Sequence, residues 1–423
     1  MPRQRTNFQV QALYVSSSPS TGTMFAYGAT GVPSTVYPEV TGYLNNTSIN
    51  AAQFQAATTT GIYQLYRIQS AGYNYGVSRT PVQQFGQLEA IDQIIMSSPV
   101  ASANFNYILS NFYNEHRLGL VVNNSVGALS GILNQTSDDK NYFLLTDPEG
   151  SDAVGNSESN SNVAVMGVGN AYMTSYSFQA SVNNFPTVSV NVEGLNLSWQ
   201  QTRSGVTPAL NPENGRAWSV VAAANGNTIP FRYILPSASQ DVGTGNLAIS
   251  ALRPGDITVT ILKRDAEGEG DLSNATGPFD LPGATLSDAK IQSCSLSFDL
   301  SRETISELGS RFAISRMPAF PVTVSASVDA IVGDLTTGNL SDLINCDDAY
   351  DITIKLNRPN TCTDFSNVLI AQYNVRNAKI NSISYNDAIG SNRTVSFGFS
   401  STIGGPNTTT AGLWMSGIYN TQI

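Results

Sequence analysis

Apolar and small polar residues alternate through most of this chain, and that alternation predicts strands far more often than helices. Phe8-Gln9-Val10-Gln11-Ala12-Leu13 opens the series, and the stretches 62–75, 100–109 and 290–298 continue it, as do Val322, Val324, Ala326 and Val328. Two stretches follow a different period. Phe85, Leu88, Ile91 and Ile95 recur at helical spacing after Ser78-Arg79-Thr80-Pro81. Thr80 is placed to cap and Pro81 to occupy the first turn, so the spacing predicts an amphipathic helix over 81–96. Ser301, then Ile305, Leu308 and Phe312, predict a second helix, closed by Pro318 and Pro321. Gly86 and Gly309 fall inside these helices, where glycine costs about 1 kcal/mol against alanine. Their recurrence reads as close packing of each helix on a sheet.

The two helical stretches belong to a longer internal repeat. Ile68-Gln69-Ser70, Ser78-Arg79, Gly86 and Ala90-Ile91 return, in the same spacing, as Ile291-Gln292-Ser293, Ser301-Arg302, Gly309 and Ala313-Ile314. Gly127, Leu129, Ser130, Asn134, Asp138-Asp139 and Tyr142 match Gly338, Leu340, Ser341, Asn345, Asp347-Asp348 and Tyr350. Asn170-Ala171 leads a strand through Phe178 as Asn377-Ala378 leads one through Tyr385, and the partner strands starting at Thr187 and Thr394 keep the same offset. Asn7 to Leu13 has a candidate counterpart in Asn246 to Leu252. The expected organisation is a first unit at 1–200, a linker or embellishment at 201–245, and a second unit at 246–423. The polar stretch 147–162 reads as a mobile loop.

Within the hairpins the two faces differ. Val188, Val190 and Val192 alternate with Thr187, Ser189 and Asn191, and Tyr176 and Phe178 with Ser175 and Ser177. Ser293, Ser295, Ser382, Ser384 and Ser396 repeat the small polar side. A face in bulk solvent usually carries more Lys and Glu, so this one is expected to meet something particular.

Composition narrows the partners. Charged residues make up 12 % of the chain, about half the usual share, and 21 basic against 31 acidic residues give a net charge of −10. That is the wrong sign for gripping phosphate backbones, though not for letting nucleic acid pass without sticking. Three cysteines, Cys294, Cys346 and Cys362, form neither a disulfide framework nor a metal-site spacing. No signal peptide or membrane span is expected, so an extracellular route would run through lysis or a particle. His116 is the only histidine and has no triad around it. The Asp138-Asp139 and Asp347-Asp348 pairs lack calcium-loop spacing, and no carboxylate pair is nominated for hydrolysis. No catalytic residue, cofactor or metal ligand is expected.

The stretch 68–109 and the hairpin from Gly169-Asn170-Ala171 through Phe185-Pro186-Thr187-Val188-Ser189-Val190 resemble the tail tube proteins of long-tailed bacteriophages and the related baseplate hub proteins. The resemblance implies a fold class that is mainly β with two short α-helices: a tandem duplicated tail-tube-type unit, two β-hairpins plus a helix each, assembling into an oligomeric β-barrel ring. The usual subunit of that family carries one unit and six form a ring. Two units per chain imply trimeric, pseudo-hexameric rings that stack around a channel for DNA passage. Ser175, Ser177, Ser189, Ser293, Ser295, Ser382, Ser384 and Ser396 are then the candidate lumen-facing residues. Implied partners are further copies of the chain, a terminator, baseplate or sheath protein, and DNA in transit. The place is the virion tail, assembled in the host cytoplasm. A baseplate hub, tail terminator or adaptor of the same fold at a tube end is an alternative. A receptor- or glycan-binding β-protein of the particle surface is another.

Overall fold

The computed structural model describes residues 11–17, 56–58, 62–134, 138–147, 152–154, 163–211, 215–217, 219–221, 228–239, 251–264, 290–310, 312–313, 315–331, 348–358, 368–387 and 392–419. The first half runs β1 (Gln11–Ser17), β2 (Ala56–Thr58), β3 (Ile62–Leu65), β4 (Ile68–Gly76), β5 (Arg79–Val82), β6 (Asp92–Ile95), β7 (Val100–Ile108), helices α1 (Tyr113–Leu118) and α2 (Ser130–Leu133), then β8 (Lys140–Thr146), β9 (Ala164–Ser181), β10 (Thr187–Gly194) and β11 (Asn196–Gln200). Five short strands follow: β12 (Ser204–Val206), β13 (Leu210–Asn211), β14 (Arg216–Ala217), β15 (Ser219–Val221) and β16 (Thr228–Ile234). The second half runs β17 (Ile257–Lys263), β18 (Lys290–Asp299), β19 (Arg302–Ile305), β20 (Ser315–Pro318), β21 (Val322–Ile331), β22 (Tyr350–Asn357), β23 (Leu369–Asn386), β24 (Thr394–Ile403) and β25 (Gly412–Gly417). The described residues are thus mainly β, with two short α-helices and one large antiparallel sheet.

The halves share one strand order. In the first, β1 pairs β8, β8 pairs β9, and β9, β10, β7 and β4 follow in turn. In the second the order is β17-β22-β23-β24-β21-β18. β11 adds to β9 as β25 adds to β23, with Asn196 opposite Gly169 and Gly412 opposite Arg376. Even the irregularities recur. The β4–β7 register skips Gln69 and the β18–β21 register skips Gln292, so the repeated Ile-Gln-Ser is a β-bulge in each half. Each bulged glutamine donates its side-chain N–H to the carbonyl two residues back, Arg67 or Lys290. Thr174 and Asn381 are skipped at equivalent points of β9 and β23.

β9 and β23 are each 18 residues long and change partners midway. At the change stand Asn170 (φ 49°) and Asn377 (φ 54°), in the left-handed region that asparagine tolerates better than most residues. Asn141 Oδ1 accepts the Asn170 N–H at 3.1 Å, and Asp351 Oδ1 accepts the Asn377 N–H at 3.0 Å.

The two helices expected on the sheet are not there. Residues 81–96 instead form part of the hairpin β5–β6, and 302–305 and 315–318 pair as β19–β20, with Arg79 opposite Ile95 and Arg302 opposite Pro318. Thr80 and Pro81 lie in β5 and cap nothing. Gly86 (φ 87°) and Gly309 (φ 95°) are tip glycines with a left-handed backbone, and a Cβ on either would meet nothing. They serve the turn rather than close packing. A short isolated helix is marginal in water unless its apolar stripe is covered. Here Phe85, Leu88 and Leu308 are fully exposed, so nothing among the described residues rewards the helical period. The helices that do form are elsewhere. Asn111 Oδ1 accepts the Tyr113 N–H at the start of α1, and Gly119 (φ 102°) closes it.

One core serves both halves. Phe105, Tyr107, Tyr176 and Phe178 of the first pack with Leu296, Phe298, Val324, Tyr373, Phe397 and Phe399 of the second. A smaller cluster joins Tyr14, Phe143 and Val165 to Val206, Tyr233 and Leu235, so part of 201–245 folds against β1 and β8. The opening-strand counterpart is also corrected. β17 pairs β22 as β1 pairs β8, so the equivalent of β1 lies at Ile257–Lys263. Asn246 to Ser250 lies outside the described residues, as do most of 147–162 and Asp347.

Candidate functional site

The site is one face of a continuous eight-stranded sheet, β4-β7-β10-β9-β18-β21-β24-β23. Strand alternation puts Tyr176, Phe178, Val188, Val190, Leu296, Phe298, Val324, Phe397 and Phe399 on the buried side. The other side is small and polar. One row crosses every strand: Ser70, Asn106, Ser189, Ser177, Ser297, Ser325, Ser400 and Lys379 stand opposite one another in turn.

All eight serines picked from the sequence lie on this face. Ser177, Ser189, Ser382 and Ser384 are exposed, and Ser175, Ser293, Ser295 and Ser396 half-buried. Ser189 faces Ser177, Ser384 faces Ser396, and Ser295 faces Ser327 with their hydroxyls 2.7 Å apart. Asn191 Nδ2 donates to Ser175 Oγ at 2.7 Å. Asp329, opposite Ser293 in the register, accepts from both Ser293 and Ser396. Of the eight, Ser175, Ser293, Ser295 and Ser396 bond to side chains on the same face, whereas Ser177, Ser189, Ser382 and Ser384 present their hydroxyls to solvent.

The face crosses from one half to the other at the β9·β18 junction. Tyr176 opposes Phe298 there, their rings stacked at 5.2 Å, and Phe178 opposes Leu296. At the rim of this junction lies a cleft of about 560 Å³ lined by Tyr172, Ser175, Asn191, Asp299, Arg302 and Arg316, among others. Arg302, whose side chain is 7 % exposed, donates to Asp138 at 3.1 Å and lies over the Tyr172 ring at 4.3 Å. Arg316 donates to Glu193 at 3.4 Å. Burial raises the Asp138 carboxyl while the Arg302 charge lowers it, and burial wins. The sequence marked Ser301-Arg302 as a repeat and Ser301 as a helix start; the buried pair of Arg302 with Asp138 was invisible without the partner strand.

A second cluster was not found from the sequence at all. Glu115, on α1, is completely buried. Its Oε1 accepts from Tyr107 at 2.7 Å and Tyr176 at 3.2 Å, and Tyr176 and Tyr373 hydroxyls lie 2.7 Å apart. Glu115 Oε2 has no hydrogen-bond partner among the described residues. Burial pushes the carboxyl up to about 7, against the lowering effect of the tyrosine hydroxyls. The cluster ties α1, β7 and β9 to β23 of the other half. Only its neighbour His116 drew notice in the sequence; it is exposed, with its ring 4.7 Å from Tyr419.

Other sequence candidates separate. Asp138 pairs with Arg302 and Asp348 with Lys263 at 2.7 Å, and no group of three or more potential metal ligands occurs among the described residues. Cys294 is buried and reduced. Trp414 is a core residue under Arg376, whereas Trp199 is exposed. No helix among the described residues is long and apolar enough to cross a membrane.

No protein-family model matches the chain, and no curated protein matches it. Among solved structures it is similar to a chain of the anti-feeding prophage (AFP) baseplate, determined with six-fold symmetry, at 13% identity and a TM-score of 0.22, over 39% of this chain and 94% of that one. It is also similar to an Hcp protein, at 11% identity and a TM-score of 0.20, over 38% of this chain and 98% of that one. Both likenesses span less than half of this chain, and the functional reading rests on its own strand order.

Proposed function

We propose that this chain is a non-enzymatic structural subunit of a phage-type tail, in which three chains close a ring around a channel that DNA crosses. The carrying observation is the eight-stranded sheet with the same four-strand set twice, fused at β9·β18 and, among the described residues, left open at β4 and at the second half of β23. Units at 1–200 and 246–423, joined by 201–245, would make six units from three chains. Their inner strands would form a barrel of about 24 strands, wide enough for an aqueous channel. Closure would remove the sheet edges each chain exposes. The serine face would line the bore, where fixed lysine and arginine would bind phosphates and cause drag. Rings would stack through a second, heterologous contact that does not close.

Electron microscopy and native mass spectrometry of the purified protein test this. Rings of three chains, alone or in hollow filaments, are expected; a monomer at high concentration overturns the reading. The copy number in a particle then separates a tube from a single ring at a tube end, such as a hub or terminator.

A further inference from the structure

The internal junction shows how the chain's open edges meet a partner, provided the ring reading above holds. The strand equivalences are fixed by shared registers. Asn106 opposes Ser70 and Ser189 in the first half as Asp329 opposes Ser293 and Ser396 in the second. β4 is therefore the equivalent of β18, and the second half of β23 the equivalent of the second half of β9. β18 and β9 pair within the chain, whereas β4 and residues 379–386 of β23 each pair on one side only among the described residues. The unpaired edges carry apolar rings. Tyr75 is 61% exposed where its equivalent Phe298 is 1%, and Tyr385 is 53% exposed where Phe178 is 0%. A sheet edge of this kind is a template for another strand.

We propose that β4 pairs with β23 of a second copy in the register of the internal junction, and that Lys379 makes this seam the weaker of the two. Transferring the internal pairs places Tyr75 opposite Ile383, Tyr73 opposite Tyr385 and Asn74 opposite Ser384 of the second copy. The rim transfers too. Arg79 bonds the Gln93 carbonyl as Arg302 bonds the Arg316 carbonyl, so Arg79 stands where Arg302 stands. Asp348 precedes Tyr350 as Asp138 precedes Lys140, strand residues that face Ala378 and Ala171.

The chemistry of the two junctions differs at the matching positions. Inside the chain, Arg302 has Tyr172 beneath it, Arg316 has Glu193, and Tyr176 stacks on Phe298. At the seam, Tyr172 is replaced by Lys379, Glu193 by Ser400, Arg316 by Gln93 and Tyr176 by Ile383. An aromatic face under a guanidinium becomes an ammonium beside it, so an attraction turns into a repulsion. Where the internal junction has two ion pairs, the seam offers Arg79 only the second copy's Asp348, a carboxylate already paired with Lys263 of its own chain. The ring would then alternate strong covalent-chain junctions with weaker, salt-sensitive seams, letting it close only when three chains are gathered.

Two measurements test this on the full chain. With Cys294, Cys346 and Cys362 replaced by serine, Tyr75→Cys with Ile383→Cys should give disulfide-linked oligomers on oxidation. Ala71→Cys with Ile383→Cys, four residues out of register, should not. Rings that form without the first cross-link, or with the second, overturn the register while leaving the ring reading intact. Failure of any oligomer to form removes both. Separately, Lys379→Tyr should lower the concentration needed for half-assembly roughly three- to thirtyfold, and weaken its dependence on salt. Unchanged or weaker assembly overturns the assignment of Lys379.

Discussion

Glu115 and Arg302 are two buried charges handled in opposite ways, and each has a measurable consequence. Among the described residues Glu115 meets tyrosine hydroxyls and no cation, and burial moves its carboxyl from 4.5 to about 7. The folded state therefore keeps a proton that the unfolded chain releases. Its contribution to stability is fully present below about pH 4.5 and is lost as pH rises through about 7. That loss amounts to at most about 3 kcal/mol. Urea unfolding at a series of pH values should show this decline, and Glu115→Gln, which keeps the shape and stays neutral, should flatten it. A wild-type profile flat from pH 5 to 8 would contradict the assignment. Arg302 instead meets a carboxylate. Arg302→Ala would strand Asp138 in a site where its side chain is 6% exposed, at a cost of about 3–5 kcal/mol. The equivalent Arg79, exposed in the single chain, should cost no more than about 0.5 kcal/mol as alanine under the same denaturation.

The hairpins β5–β6 and β19–β20 show where sequence pattern misleads at the level of an element. Phe85, Leu88, Ile91 and Ile95 fit a helical period, but a period predicts a helix only if something covers the stripe. Phe85 and Leu88 touch no core, so replacing both with serine should shift the unfolding free energy by no more than about 0.5 kcal/mol. A helix seated on the sheet would lose several times that. Elsewhere the letters were enough. Alternation marked β7, β10, β18, β21 and β24 and separated the serine face from the core, because buried and exposed sides of a strand differ chemically at every second residue. The repeat was legible through Asn170 and Asn377 and through the bulged Ile-Gln-Ser, since each demands a particular residue at a particular backbone turn. β17 was not, because its likeness to β1 lies in pairing with β22 and not in shared residues. Glu115 was hidden for a similar reason: its tyrosines are 8, 61 and 258 positions away and converge only when the sheet folds.

At the scale of the whole molecule, the bore is the part of the proposal that function would feel first. Ser175 and Ser177 lie on the polar face beside the β9·β18 junction, with Ser177 exposed and Ser175 half-buried, so lysine at both positions has room to extend into solvent. Each chain's core side is untouched by the change, and thermal unfolding of the single chain should move little. In a closed ring of three chains the same two substitutions would place about six new cations around one level of the channel. Each lysine that meets a phosphate displaces condensed counterions, so retention should fall steeply with added salt, with a slope of about 0.9 per contact on a double-logarithmic plot. Assembled tubes of the Ser175→Lys, Ser177→Lys variant should therefore hold DNA at low salt and pass it more slowly than the parent, with the difference vanishing at high salt. Equal DNA passage by variant and parent at low salt would move the bore to another face of the sheet, whatever the rings look like.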